Sequence, residues 1–389
     1  MKKFMSGNEA IAHAVKLSRP HVIASYPITP QTVVVERLSE MHEKGEIKGE
    51  FINVESEHSA MSALIGASAL GARTFTATSS QGLLYMAECL HYASGGRFPI
   101  VMMNANRSIA LPWNIYGDQR DSLSLLDSGW IQFYAENAQE SFDMVIQSFA
   151  LAENPEVMTP VMINLDGFVL THTYEIVDVP EPDLVDEFLP EYKTENKMSY
   201  ESPKNMGFSS TPADNMEFKY VQNKAMLKSK SLIKEIDDKF GLIFCRKYGS
   251  LIEKYKSDDA QYIVITLGSV SGTVRETVDQ LRSEGIKAGM IRIRFMRPFP
   301  DEEIRDALKN ASAFAVLEKD ISFGYEGTVF TNVASSLFST GNNIKALNYI
   351  GGLGGRNISV DDIRSIFSAL ESDAAYQRVN FLNLGVRDE

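Results

Sequence analysis

Early in this 389-residue chain, separate positions carry groups that could work together: a hydroxyl at Thr29, a carboxylate at Glu57, the polar turn Ser79-Ser80-Gln81-Gly82 and a cation at Arg107. Thr29 lies in Tyr26-Pro27-Ile28-Thr29-Pro30. The two prolines fix φ and push the residues before them toward extended backbone, so the hydroxyl is held rather than mobile, although a plain strand-to-helix connection would look the same. Glu57 opens a helix of small residues, AMSALIGASALGA. A carboxylate there suits the helix macrodipole, and for an isolated Glu first-turn charge is the simpler reading. The turn at Ser79 opens another helix, whose free N–H groups would suit an anionic or hydrogen-bonding ligand. Arg107 could grip a carboxylate with its rigid fork, or simply pair with Asp118 or Asp121. Nearby, His58 reads as packing and Glu55 as a neighbour of the site.

These residues follow strands in a regular alternation. Short β-rich runs stand at HVIASY (21–26), EFINV (50–54), RTFTAT (73–78), PIVMMNA (99–105), IQFYA (131–135) and PVMINLD (160–166). Helical spacing lies between them, roughly 31–44, 57–70, 82–93 and 138–153. Such alternation predicts an α/β domain with a parallel sheet, whose ligands collect at the carboxyl ends of the strands. The segment 109–121, IALPWNIYGDQRD, is too irregular for a simple connector, and long irregular loops are commonly functional.

Beyond Asp166 the chain turns proline- and acid-rich, which predicts an extended arm or linker, followed by a charged helical stretch from about 217 to 255. A second alternating domain follows, with strands at 261–268, 288–296, 313–319 and 345–351 and helices at 272–283, 301–309, 326–338 and 360–370. In it, Gly268-Ser269-Val270-Ser271-Gly272-Thr273 sits where a phosphate loop would, but it matches neither nucleotide signature and reads as packing. The turn GGLGGRNIS (351–359) offers close backbone approach, with Arg356 placed to dock on a partner or on the other domain.

Composition narrows the classes. A net charge of −13 without basic patches argues against nucleic acid. No apolar run is long enough to span a bilayer, and MKKFMSGNEAIAHAVKL reads as an amphipathic helix rather than a signal peptide, so a cytoplasmic protein without membrane contact is expected. Cys89 and Cys245 are too few for an iron–sulfur cluster and read as small buried hydrophobes.

Taken together, Tyr26-Pro27-Ile28-Thr29-Pro30, Ser56-Glu57, TATSSQGLL (76–84), Asn106-Arg107-Ser108 and Gly117-Asp118-Gln119-Arg120-Asp121 resemble one family. It is the α subunits of the multi-subunit 2-oxoacid:ferredoxin oxidoreductases, the pyruvate enzymes most of all. VITLGS and GGLGGRNIS resemble that family's second domain. The resemblance implies a thiamine diphosphate-binding-type (pyrimidine) parallel-sheet domain over 1–170, an arm with helices over 171–255 and a transketolase C-terminal-like α/β domain over 256–389. It implies oxidative decarboxylation of pyruvate with coenzyme A to acetyl-CoA, carbon dioxide and reduced ferredoxin. Glu57 would hydrogen-bond the aminopyrimidine ring nitrogen, Thr29 the substrate's oxygen, and Arg107 its carboxylate. Ile28, Ser80, Gln81 and Gly82 would line the cofactor with Glu57. The chain has no clustered cysteines, and no G-D-G before an Asn-rich stretch to hold a diphosphate through magnesium. The resemblance therefore places Mg2+ and [4Fe-4S] clusters, and the docking of ferredoxin, on partner β-, γ- and δ-type subunits. Other readings are a 2-oxoisovalerate or other 2-oxoacid enzyme, or a non-catalytic α/β scaffold.

Overall fold

Runs such as VMINLD and AGMIRI, apolar on both faces, suit strands covered on both sides, and all of their residues are buried. A computed structural model describes residues 1–207, 209–338, 344–372 and 377–385. The first sheet has seven strands in the order Phe295–Arg297, Ile131–Tyr134, Val161–Asp166, Val101–Asn106, Thr74–Thr78, Val22–Ser25, Glu50–Asn53. Every pairing in it is parallel except the first, which is antiparallel. Helices Gly7–Ser18, Thr32–Glu43, Glu57–Ala69 and Ala138–Ala152 flank it. The second sheet has six strands, in the order Val379–Phe381, Lys345–Ile350, Ala313–Glu318, Tyr262–Thr266, Ala288–Ile293, Ile252–Tyr255. Only its last pairing is antiparallel. No helix among the described residues is long and apolar enough to cross a membrane.

Several elements depart from their sequence patterns. The N-terminal stretch is not one amphipathic helix: Lys2–Ser6 is a strand paired antiparallel with Tyr174–Asp178, and the helix starts at Gly7 with Ser6 and Glu9 forming a capping box. The stretch expected to be helical to 255 divides. Its helix is Pro212–Phe244, ended by Cys245 in the left-handed region, and Ile252–Tyr255 is an edge strand. The run 288–296 is two strands in two sheets, with Arg294 at the crossing. Its alternation is unbroken, so period alone does not show the break. Burial does: Arg292 and Arg294 are both almost fully buried and both bond the Glu140 carboxylate, at 2.6 and 2.8 Å. That carboxylate belongs to the first sheet's helix Ala138–Ala152, so the pair of arginines ties the chain's two halves together.

A second tie lies at the Ser269 turn. Its backbone N–H donates to Asp166 Oδ2 at 2.8 Å, the Ser269 hydroxyl bonds the same oxygen, and Lys319 Nζ stands 3.0 Å from it. The loop placed like a phosphate cradle thus receives a carboxylate from the end of the neighbouring sheet's strand.

Candidate active site

In a parallel sheet all strands end on one edge, and four adjacent strands deliver the four sequence-predicted features there: 50–53 leads to Glu57, 22–25 to Thr29, 74–78 to the Ser79 turn and 101–106 to Arg107. The Thr29 turn is pinned by more than its prolines. Gln31 Nε2 donates to the Tyr26 carbonyl at 2.9 Å and reaches across to Ala77, and Asn8 Nδ2 donates to the Pro30 carbonyl at 2.8 Å. Thr29 itself is exposed and Ile28 half-buried, and the Thr29–Pro30 peptide is cis.

Glu57 is not needed as a cap. Ser56 is the N-cap of its helix, accepting from the Ser59 N–H at 3.1 Å, and Glu55 is engaged by the Ser59 hydroxyl at 2.6 Å. Glu57 is nevertheless 7% exposed, and among the described residues no donor or cation engages its carboxylate. It lies over Gly82: a β-carbon there would stand 2.5 Å from Glu57 Oε1 and 2.7 Å from Thr78 Oγ1. The Thr78 hydroxyl is also buried without a partner. The missing side chain of Gly82 thus lets the Glu57 carboxylate and the Thr78 hydroxyl lie close over its backbone, and a buried hydroxyl without a partner is stabilised when a hydrogen-bonding group arrives. His58 lies away from this group, beside Glu88 and Cys89.

The Ser79 turn differs from its expected chemistry. Two of its amides are engaged within the protein, Ser80 N–H on Asp121 Oδ2 at 3.1 Å and Gly82 N–H on the Ser79 carbonyl at 2.9 Å, so those two do not form an open anion cradle. What it offers instead is the Gln81 side chain, whose Nε2 is buried without a partner. Gln81 Oε1 accepts from the Ser80 hydroxyl at 2.6 Å and from Arg107 Nη2 at 3.3 Å.

Arg107 is 6% exposed, donates Nη1 to the Thr29 carbonyl at 2.8 Å, and leaves Nε without a partner. Neither Asp118 nor Asp121 takes its guanidinium, and among the described residues no carboxylate forms an ion pair with it. Burial pulls its pKa below the usual guanidinium value, with the Asp121 charge opposing. A buried cation with free donors and no counter-ion favours an incoming anion, and a carboxylate matches its fork. Asp121, expected only as a possible partner of the Arg107 guanidinium, instead accepts the Arg107 backbone N–H at 3.2 Å. It is fully buried, and burial with help from Asp118 pushes its carboxyl up to about 6 against the hydrogen bonds it accepts. The signal was the density of charge in Gly117–Asp121 within an irregular loop.

Comparison with known proteins places the chain in a family. Residues 13–238 match the thiamine diphosphate-binding domain model of pyruvate flavodoxin/ferredoxin oxidoreductases, and residues 260–363 match the pyruvate:ferredoxin oxidoreductase core domain II model. The chain is 47% identical over 367 residues to the ketoisovalerate oxidoreductase subunit VorA of Pyrococcus abyssi, covering 94% of this chain and 92% of that one. It is also 47% identical over 372 residues to the pyruvate synthase subunit PorA of Methanocaldococcus jannaschii, covering 95% of each. Among solved structures, a 2-oxoglutarate:ferredoxin oxidoreductase from Magnetococcus marinus superposes with a TM-score of 0.73 at 20% identity. The match covers 95% of this chain and 65% of that one. A split-gene transketolase superposes with a TM-score of 0.53 at 13% identity over 93% of each chain. These two show shared fold: a thiamine-enzyme type of α/β domain beside a transketolase-like one. The chain belongs to the pyruvate flavodoxin/ferredoxin oxidoreductase family.

Proposed function

We propose that this chain is the α subunit of a 2-oxoacid:ferredoxin oxidoreductase acting on pyruvate, and that Glu57, Thr29 and Arg107 are its working residues. The observation that carries the reading is a buried carboxylate and a buried guanidinium, both without charged partners among the described residues, on turns after strands of one sheet edge. The group suits thiamine diphosphate: among the described residues no donor engages the Glu57 carboxylate, the Thr78 hydroxyl is buried without a partner, and Gly82 lets both lie close over its backbone. When bound, that cofactor supplies the electron sink needed for loss of carbon dioxide from a 2-oxo acid. Glu57 would hold the aminopyrimidine ring nitrogen of that cofactor through a hydrogen bond. Arg107, fixed by the Thr29 carbonyl and Gln81, binds the substrate carboxylate with its remaining donors. The Thr29 hydroxyl orients the 2-oxo oxygen. A single cation opposite a neutral hydroxyl anchors the carboxylate without trapping the charge it must lose. The diphosphate loop with its Mg2+, the [4Fe-4S] clusters and the ferredoxin contact belong, in this reading, to β-, γ- and δ-type partners.

Glu57→Gln in the assembled complex tests this. Turnover should fall by roughly 10²–10⁴ while the thermal transition and subunit content stay normal. Unchanged turnover refutes the assignment. A visible absorbance that does not bleach on adding pyruvate and coenzyme A would point to a scaffold instead. The equal identity to PorA and VorA relatives supports 2-oxoisovalerate as the second substrate to try, and the ratio of kcat/KM values decides between them.

A further inference from the structure

Asp121 opens the short helix Arg120–Leu123, and its carboxylate gathers five N–H donors. Oδ1 accepts from Asn106 Nδ2 and from the Ser122 amide, both at 2.8 Å. Oδ2 accepts from the amides of Ser80 at 3.1 Å and Arg107 at 3.2 Å, and from Asn104 Nδ2 at 3.2 Å. Ser80 begins the turn that carries Gln81 and Gly82, and Arg107 begins the loop that carries the guanidinium. One carboxylate therefore fastens the ends of two adjacent strands to each other, through backbone, and leaves the Arg107 side chain alone. Its own helix is anchored in turn to the second sheet. Asp118 Oδ2 accepts the Gly354 amide at 3.2 Å, the Gln119 amide donates to the Lys319 carbonyl at 2.9 Å, and Asn114 Nδ2 donates to the Gly354 carbonyl at 2.9 Å.

We propose that Asp121 is a positioning residue for 2-oxoacid binding: by holding the amides of Ser80 and Arg107 it sets the Arg107 fork against Gln81 and Thr29 while keeping the fork open for the substrate carboxylate. An aspartate one bond nearer, paired directly with the guanidinium, would compete with the substrate. Placed where it is, the negative charge supports the buried cation without occupying it. The inference rests on the reading of Arg107 as the carboxylate clamp.

Asp121→Asn keeps the side chain's volume, removes its charge and turns an amide N–H toward groups that are themselves donors. In the assembled complex it should raise KM for the 2-oxoacid by about tenfold or more with a smaller change in kcat. Because Asp121 acts through Arg107, the double variant Asp121→Asn/Arg107→Ala should be no worse in KM than Arg107→Ala alone; additive losses overturn the proposal. If Asp121→Asn fails to assemble, the wild-type complex supplies the test. The charged or titratable groups facing Asp121 are Asp118, Arg107 and Tyr134. With Asp121 titrating at about 6, wild-type KM should rise as pH falls through that value, and KM of Arg107→Ala should not. A flat wild-type KM overturns the proposal. Normal KM in Arg107→Ala overturns the clamp reading itself, whereas normal KM in Asp121→Asn beside an impaired Arg107→Ala overturns only the role of Asp121.

Discussion

Gly82→Ala separates stability from function at this site. The new β-carbon would stand 2.5 Å from Glu57 Oε1, 2.9 Å from Glu57 Cδ and 2.7 Å from Thr78 Oγ1. Moving the carboxylate oxygen from 2.5 Å to ordinary contact at 3.4 Å displaces it by about 0.9 Å. The Glu57 carboxylate is the far end of a flexible side chain and can swing away, whereas Thr78 Oγ1 yields only by a change of its χ1 rotamer. Gly82 also sits within the helix Ser80–Tyr85, where Ala is favoured over Gly by roughly 0.5–1 kcal/mol. That gain offsets the cost of swinging the Glu57 side chain, and net stability should stay within about 1 kcal/mol of wild type. Catalysis has no such slack, because a misplacement of about 1 Å can lower turnover by about 10²-fold. The assay is 2-oxoacid- and coenzyme A-dependent reduction of a viologen dye by the reconstituted complex, read beside its thermal transition. Full turnover at normal stability would refute the claim that Glu57 must occupy the place the structure gives it. A stability loss above about 3 kcal/mol would refute the claim that the side chain yields.

Arg107→Ala should raise KM for the 2-oxoacid by about 10²-fold, the scale of one lost charge-assisted fork, with thiamine diphosphate affinity unchanged; steady-state kinetics and cofactor titration check both. Burial alone would push the Glu140 carboxyl up, but Arg292 and Arg294 overcome it and hold it at about 2. Since the folded carboxyl titrates below its ordinary value, its stabilisation is complete above about pH 4.5 and is lost as pH falls toward 2, amounting to about 3 kcal/mol. In Glu140→Gln that pH step should vanish, and the two arginines left buried should cost about 3–5 kcal/mol at neutral pH, read from denaturation curves across pH. Gly268→Ala should destabilise by about 1–3 kcal/mol, because φ is +71° there and the added carbon would stand 2.7 Å from Gln119 Nε2 and 2.9 Å from Asp166 Oδ2; an unshifted thermal transition would contradict the tie between the sheets.

By itself the sequence determined where the strands that lead to the site and most helices run, and hence that Thr29, Glu57, the Ser79 turn and Arg107 share one edge. The reason is local: apolar period and turn chemistry report each segment's burial, and a parallel sheet brings every post-strand residue to the same side. Tertiary structure alone decided how those residues are held and which are free. Whether Glu57 caps its helix or lies free over the next turn depends on Ser56 and Gly82; whether Arg107 is paired depends on where Asp121 points. The crossing at Arg294 is hidden in an unbroken alternation, and its cause, Glu140, lies 154 residues away. Asp166 fills the Ser269 turn from 103 residues away. Such pairings join buried charges across the chain, and no local period records them.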